Sequence, residues 1–206
     1  METFFPLSAA YKYGIETAKY ISDEIVGREV FSGKRNAGLL AQTVVNALHG
    51  DHVEIGTLFG ASAILAALAK KEFGLHGKVY CVDPLEFRPN FIDDRFTGFP
   101  ASSTLLKENA CRFGVEDRII HVPKCSYPWP LPDKLFATGF VDGDHWNGTP
   151  LKDWESLSKC VTYSVVLHDY MPHKPEVVDL VRIALESREW AVVAVDGVTA
   201  VLRRRH

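Results

Sequence analysis

Two groups of residues in this 206-residue chain have types and spacings that could do chemistry. The first is Glu54, Gly56, Gly60 and Ser62, with Asp83 following. It lies where an apolar strand pattern gives way to an alanine-rich helical one. Gly56 lets the chain turn sharply off the strand, and Gly60 lets a ligand approach the backbone with no Cβ between them. Ser62 is placed to cap the helix or to donate to the ligand. Asp83 ends the next strand, where a carboxylate can accept from both hydroxyls of a ribose. The glycines are too widely spaced for the G-x-G-x-x-G turn of a dinucleotide site. Together the set points to a nucleoside-bearing ligand.

The second group is Asp142-Gly143-Asp144-His145-Trp146, after a later strand pattern, with His168-Asp169-Tyr170 after the next. If both strands open on one edge of a sheet, two carboxylates and two imidazoles share a cleft. Carboxylate oxygens suit Mg²⁺. Histidine as a ligand would favour a softer ion such as Mn²⁺, Fe²⁺ or Zn²⁺, or would stand behind the ligands and orient them. The plainer alternative is that Asp142 and Asp169 are capping and solvated loop acids, with His145 orienting Asp142 or stacking on Trp146.

These residues need a scaffold of alternating strands and helices, and the patterns provide one. Helical spacing marks 8–26 and 36–48. Strand and helix patterns then alternate: strands at 52–55, 78–83, 118–122, 135–142 and 164–168, and helices at 61–73, 102–113, 151–160 and 176–187. Segments 190–195 and 198–202 flank Asp196-Gly197, which predicts a hairpin with a type I′ turn. The expected fold is α/β: a Rossmann-like, doubly wound, mostly parallel seven-stranded sheet ending in an antiparallel hairpin. Residues 1–206 form one domain, with 1–50 as a helical cap and 51–206 as the core. The stretch 86–100 is long for a strand-to-helix connection and reads as a mobile loop over an acceptor site or, more plainly, as a surface elaboration or dimer contact.

Composition narrows the function classes. Apolar residues make up 47% and charged residues 24%, with a net charge of −3. No basic surplus suggests nucleic acid or an anionic membrane. Arg203-Arg204-Arg205 reads as a solvated tail. No apolar stretch approaches the ~20 residues of a membrane span. The N-terminus lacks the features of a signal peptide, so the cytoplasm is the expected location. Four cysteines without a C-x-x-C pair read as reduced, buried thiols. An apolar N-terminal helix makes a homodimer plausible.

The run "EIGTLFGAS" followed by "VYCVDP" resembles motifs I and II of class I methyltransferases. The first is similar to the form in metal-dependent O-methyltransferases such as the catechol and caffeoyl-CoA enzymes. "FVDGDHW" and "VVLHDY" are closer to macrocin-type sugar O-methyltransferases and cephalosporin-hydroxylase-like proteins. The resemblance implies S-adenosylmethionine as cofactor, with Glu54, Gly56 and Gly60 as the floor for its methionine and ribose portions. Asp83 would bind the ribose diol, Ser126 would lie near the adenine, and Trp146 would line the cofactor pocket. Many relatives carry an acid near 124–126, and this chain has none there. Asp142, His168 and Asp169 would hold a divalent metal, Mg²⁺ or Mn²⁺, although histidine replaces an acid of several relatives at 168. His145 would be the general base on a small hydroxylated acceptor. Three alternatives remain: the same enzyme without a metal, a non-catalytic cofactor-binding scaffold or regulator, and a nicotinamide oxidoreductase. The last lacks both its Gly-rich turn and a Tyr-x-x-x-Lys pair.

Overall fold

Short apolar runs that end at glycine or aspartate form the centre of the fold. A computed structural model describes residues 8–26, 34–85 and 101–205. The stretch 86–100, expected to cover an acceptor site, lies outside the described residues. Five strands lie parallel: β1 (His52–Ile55), β2 (Val79–Val82), β3 (Ile119–Val122), β4 (Phe136–Val141) and β5 (Val161–Leu167). β6 (Trp190–Asp196) and β7 (Thr199–Arg204) form the antiparallel hairpin, and β7 joins β5. The seven-stranded order is β3-β2-β1-β4-β5-β7-β6. The α/β sheet with its terminal hairpin is therefore as expected. The order reverses at β1, between β2 and β4, which is where open α/β sheets leave a crevice for ligands.

Helices cover both faces because each strand has apolar side chains on both sides. On one face lie α1 (Ala9–Glu24), α2 (Lys34–Asn46), α3 (Ala61–Glu72) and α4 (Ser103–Arg112), packed over Cys81, Phe140, Val166 and Val201. On the other, α5 (Thr149–Cys160) and α6 (Pro175–Glu186) cover Val53, Ile55, Val165 and Leu202. Trp154 and Trp190 meet edge to face there, 5.1 Å between centroids. Ser8 caps α1 by accepting from the Tyr11 amide, and Ser102 caps α4 in the same way. The N-terminal helices are tied to the hairpin. Tyr11 Oη donates to Asp196 Oδ2 at 2.8 Å, and Arg35 pairs with Asp196 Oδ1 at 3.2 Å.

Several local expectations need correction. The hairpin's central residues are Gly197 and Val198, since Asp196 pairs with Thr199. Only Gly197 has positive φ, because a β-branched valine resists the left-handed region that a type I′ turn needs at both positions. Arg203 and Arg204 belong to β7 and are no tail. Their guanidinium groups lie 4.7 Å from the Tyr163 ring centre and 4.8 Å from that of Trp190. β5 starts at Val161, three residues early, because α5 runs straight into it. Cys81 and Cys160 are buried, while Cys111 and Cys125 are exposed. No described helix is long and apolar enough to cross a membrane.

At the opposite end of β1, His52 is fully buried and shares a 2.8 Å hydrogen bond with Thr138 Oγ1. Burial, with the nearby Lys70 charge, pushes its pKa down to about 3 from 6.5. The folded value lies below the unfolded one, so the unfolded chain binds more protons between them. Stability from neutral His52 is full above pH ~6.5 and is lost as pH falls through that window. A His52→Gln variant should therefore keep its helical circular dichroism to lower pH than the wild type. Coincident acid-unfolding curves would refute this role.

Candidate active site

The register alone brings the chemistry-bearing residues to one edge. Ile55 is level with Val82 on one side and Val141 on the other, and Val141 is level with Leu167. The next residue on each strand is therefore Asp83, Gly56, Asp142 and His168, in that order across β2, β1, β4 and β5. Backbone bonds continue the ladder past the strand ends: Asp142 N donates to Ile55 O at 2.9 Å, and His168 N to Val141 O at 3.0 Å.

The turn after β1 is held from outside itself. Asp83 Oδ2 accepts from the Thr57 amide at 2.7 Å and the Leu58 amide at 3.2 Å, and Oδ1 accepts from the Leu85 amide at 2.8 Å. The carboxylate expected at a ribose thus also shapes the glycine turn. Gly56 has φ +83, and a Cβ there would lie 2.2 Å from the Asp142 carbonyl oxygen. Its bareness is needed by the backbone of β4. Gly60, at φ +96, is the N-cap of α3, and its Cβ would meet Leu106 Cδ1 at 2.4 Å. The space a Cβ would fill at Gly60 is thus taken by α4 packing. Ser62 does not cap the helix: it is buried one residue inside α3.

Glu54 lies beneath this turn at 0% exposure. The Thr57 and Ser62 hydroxyls approach its carboxyl and pull its pKa down, but neither oxygen meets hydrogen-bond geometry with a described partner. Burial dominates and raises its pKa to about 8. Glu54 supports the floor from below and is sealed from solvent.

The second group assembles as the sequence implies. His168 Nδ1 lies 2.8 Å from Asp142 Oδ1 and 3.3 Å from Asp169 Oδ1. His145 Nε2 lies 3.6 Å from Asp142 Oδ1 and 3.5 Å from Asp169 Oδ2, buried and without a hydrogen bond among the described residues. Burial alone would raise Asp142, but the two histidines outweigh it and hold its carboxyl below the usual range. The reverse holds for His168, where burial lowers and Asp142 raises, for a net upward shift. Asp169 takes φ +56, which aspartate tolerates better than most residues, and this strain sits at the mouth of the site. The donor atoms of Asp142, His145 and His168 lie within 4.8 Å of one another.

The loop carrying His145 has its own supports. Asp144 is exposed, and its Oδ1 accepts from the Trp146 amide at 3.2 Å, while Glu176 Oε2 accepts from the Gly148 amide at 2.8 Å. Trp146 is 43% exposed, with the Lys174 ammonium 4.8 Å from its ring centre. Ser126, expected near an adenine, donates to Asp153 Oδ1 on α5 at 2.5 Å.

A protein-family profile described as a methyltransferase domain matches residues 53–170, more than half the chain and both groups of residues. The chain belongs to this methyltransferase-domain family. The nicotinamide oxidoreductase alternative falls with that assignment. No curated protein matches the sequence. Solved structures share the fold at low identity. The O-methyltransferase from Bacillus cereus, in complex with SAH, has a TM-score of 0.63 at 14% identity, covering 95% of this chain and 100% of that one. TomG from Streptomyces achromogenes, an O-methyltransferase of tomaymycin synthesis in complex with SAM, has a TM-score of 0.61 at 14% identity, with 97% and 100% covered. Cofactor-bound Rv0187 from MTB has a TM-score of 0.65 at 17% identity, with 94% and 90% covered.

Three residues of this methyltransferase domain's site gave no signal in the sequence. Lys174, in the β5–α6 connection, lies 3.8 Å from Asp169 Oδ2. Asn36, from α2, has its Nδ2 3.4 Å from His168 Nε2. Asp153 is fully buried on α5. Each comes from an element other than the strand ends, and only packing shows which helix face meets the site.

Proposed function

We propose that this chain transfers a methyl group from S-adenosylmethionine to a hydroxyl of a small acceptor. The carrying observation is the level row of Asp83, Gly56, Asp142 and His168 across the point where strand order reverses. S-adenosylmethionine fits the residues present. Asp83, at the mouth of the crevice, has an Oδ1 that takes only one amide donor among the described residues, leaving acceptor capacity for a ribose hydroxyl. Ser126 and the loop of Trp146 flank the same crevice, Gly56 and Gly60 shape its floor, and Glu54 and Ser62 lie beneath. When bound, the cofactor supplies an electrophilic methyl on a sulfonium.

The protein's own contribution is placement and proton removal. A neutral hydroxyl is a poor nucleophile, and His145 Nε2, buried between two carboxylates without a hydrogen bond, is placed to take its proton. Asp142 and Asp169 then stabilise the imidazolium. His168, bonded to Asp142, fixes that carboxylate's orientation. In-line displacement needs little beyond alignment, so positioning supplies much of the acceleration.

A divalent ion is a second reading, favoured by the three donor atoms gathered within 4.8 Å. Two imidazoles and a carboxylate suit Mn²⁺, Fe²⁺ or Zn²⁺ better than Mg²⁺. Asp142, His145 and His168 would hold the ion, with Asp169 beside them, and it would polarise the acceptor oxygen. His145 Nε2 cannot both bind an ion and take a proton, so the two readings exclude each other at that atom.

Calorimetric titration of EDTA-stripped protein tests both. SAH should bind at micromolar concentration, and Asp83→Ala should weaken it about 100-fold or more, because two turn amides and a ribose contact are lost together. No SAH binding by folded protein would end the methyltransferase reading. Stoichiometric Mn²⁺ binding that Asp142→Asn abolishes would select the metal reading over His145 as base.

A further inference from the structure

We infer that Asp153, which no sequence motif singles out, is a positioning residue of the cofactor crevice, joining the loop after β3 to the loop after β4. The inference rests on the S-adenosylmethionine reading for its ligand, but its structural core does not.

Asp153 sits in the second turn of α5, on the face that packs against the sheet beside Trp154 and Leu157. It is 0% exposed, an unusual place for a carboxylate. Its Oδ1 accepts from Ser126 Oγ, in the β3–β4 loop. Its Oδ2 is buried with no hydrogen-bond partner among the described residues. That oxygen faces the β4–α5 loop, since a Cβ built on Gly143 would lie 3.3 Å from it. Gly143 directly follows Asp142 and lies two residues before His145. One buried side chain thus touches both loops that flank the nucleoside side of the crevice. From α5, Asp153 brings a buried carboxylate to Ser126 of the β3–β4 loop.

The physical signature is a group that costs stability. A buried carboxylate with one unsatisfied oxygen is unfavourable, and burial raises its pKa to about 6 despite the Ser126 bond. An amide of the same shape would remove the charge and keep an acceptor for Ser126. Packing alone would therefore be served as well or better by asparagine. The free Oδ2 is explained if it receives a donor from the β4–α5 loop as the crevice closes on its ligand.

The test compares wild type with Asp153→Asn, Ser126→Ala and the double variant. Three measurements are made: thermal unfolding at pH 8, SAH affinity by calorimetry, and hydrogen exchange of 124–126 and 143–148 without ligand. Asp153→Asn should have an unchanged or higher Tm, yet bind SAH about tenfold more weakly and exchange faster in both loops. Ser126→Ala should weaken SAH in the same direction, and the double variant should lose less than the two single losses combined. A Tm that falls in step with affinity would mean a purely structural role and overturn the inference. So would unchanged affinity, additive losses, or unaltered exchange in either loop. If wild-type protein binds no SAH, the functional reading fails by itself. The exchange data then still decide whether Asp153 joins the loops.

Discussion

Gly56→Ala is expected to destabilise the protein by roughly 3 kcal/mol or more and to eliminate measurable SAH binding. Two costs combine. The backbone at φ +83 is unfavourable for any L side chain, by about 1–2 kcal/mol. In addition, a methyl 2.2 Å from the Asp142 carbonyl oxygen must push the end of β4 away from β1. That second cost falls on the strand end that carries Asp142 and, three residues on, His145. Gly148→Ala is the natural control. Its φ of +74 is similar, but a Cβ there meets nothing within 4 Å, so only the first cost applies. Urea unfolding of the two variants should separate them clearly. If Gly56→Ala is no worse than Gly148→Ala, the close approach of β1 and β4 is not what fixes the site.

Glu54→Gln should gain stability over the wild type as pH rises. The Glu54 carboxyl titrates at about 8 when folded and near 4.5 when unfolded, because burial without a firm hydrogen-bond partner penalises its charge. Between those values the folded state binds more protons, so stability falls as pH increases through the window. The full swing is on the order of 4–5 kcal/mol, of which roughly 3 kcal/mol is lost by pH 7. The amide cannot ionise, and the difference in Tm between the two proteins should grow from pH 5 to pH 8. Parallel Tm curves would show that Glu54 is solvated or paired in solution. A buried acid beneath the glycine turn also gives the turn a pH-dependent floor. Cofactor affinity in the wild type should weaken above pH 8, where Glu54 ionises, while Glu54→Gln stays flat.

Much of this site could be read before the fold was known. Asp83, Asp142, His145, His168 and Asp169 each follow a recognisable strand pattern, and parallel strands open their C-terminal ends on one edge. Alternating elements in the correct order were enough to place these residues together. The interior boundaries proved less legible. β5 begins at Val161 because α5 enters it without a loop, and no turn residue announces that junction. The hairpin was evident from Asp196-Gly197, but its register was not. A shift of one residue moves the central pair, and cross-strand packing decides between the two.

Roles depend on contact rather than position along the chain, and here the two diverge. Gly60 looked like a residue kept bare for a ligand, whereas the space a Cβ would fill there is taken by Leu106 of α4. Glu54 looked like part of a binding floor and is sealed beneath it. Asp153 looked like one more acid on an amphipathic helix, and Lys174 like a loop lysine. The sequence by itself determined the strand order's raw material, the glycine turn, the row of acids and histidines at strand ends, and so the family. Those features are local, being set by backbone conformation and the two-residue and 3.6-residue periods of side-chain direction. Only the tertiary structure decided which atoms meet and which charges lose their water. It showed that helices α2 and α5 and the β5–α6 connection each send a side chain into the site. Desolvation and hydrogen-bond satisfaction are properties of an enclosed volume, and a volume is defined only when distant segments close around it.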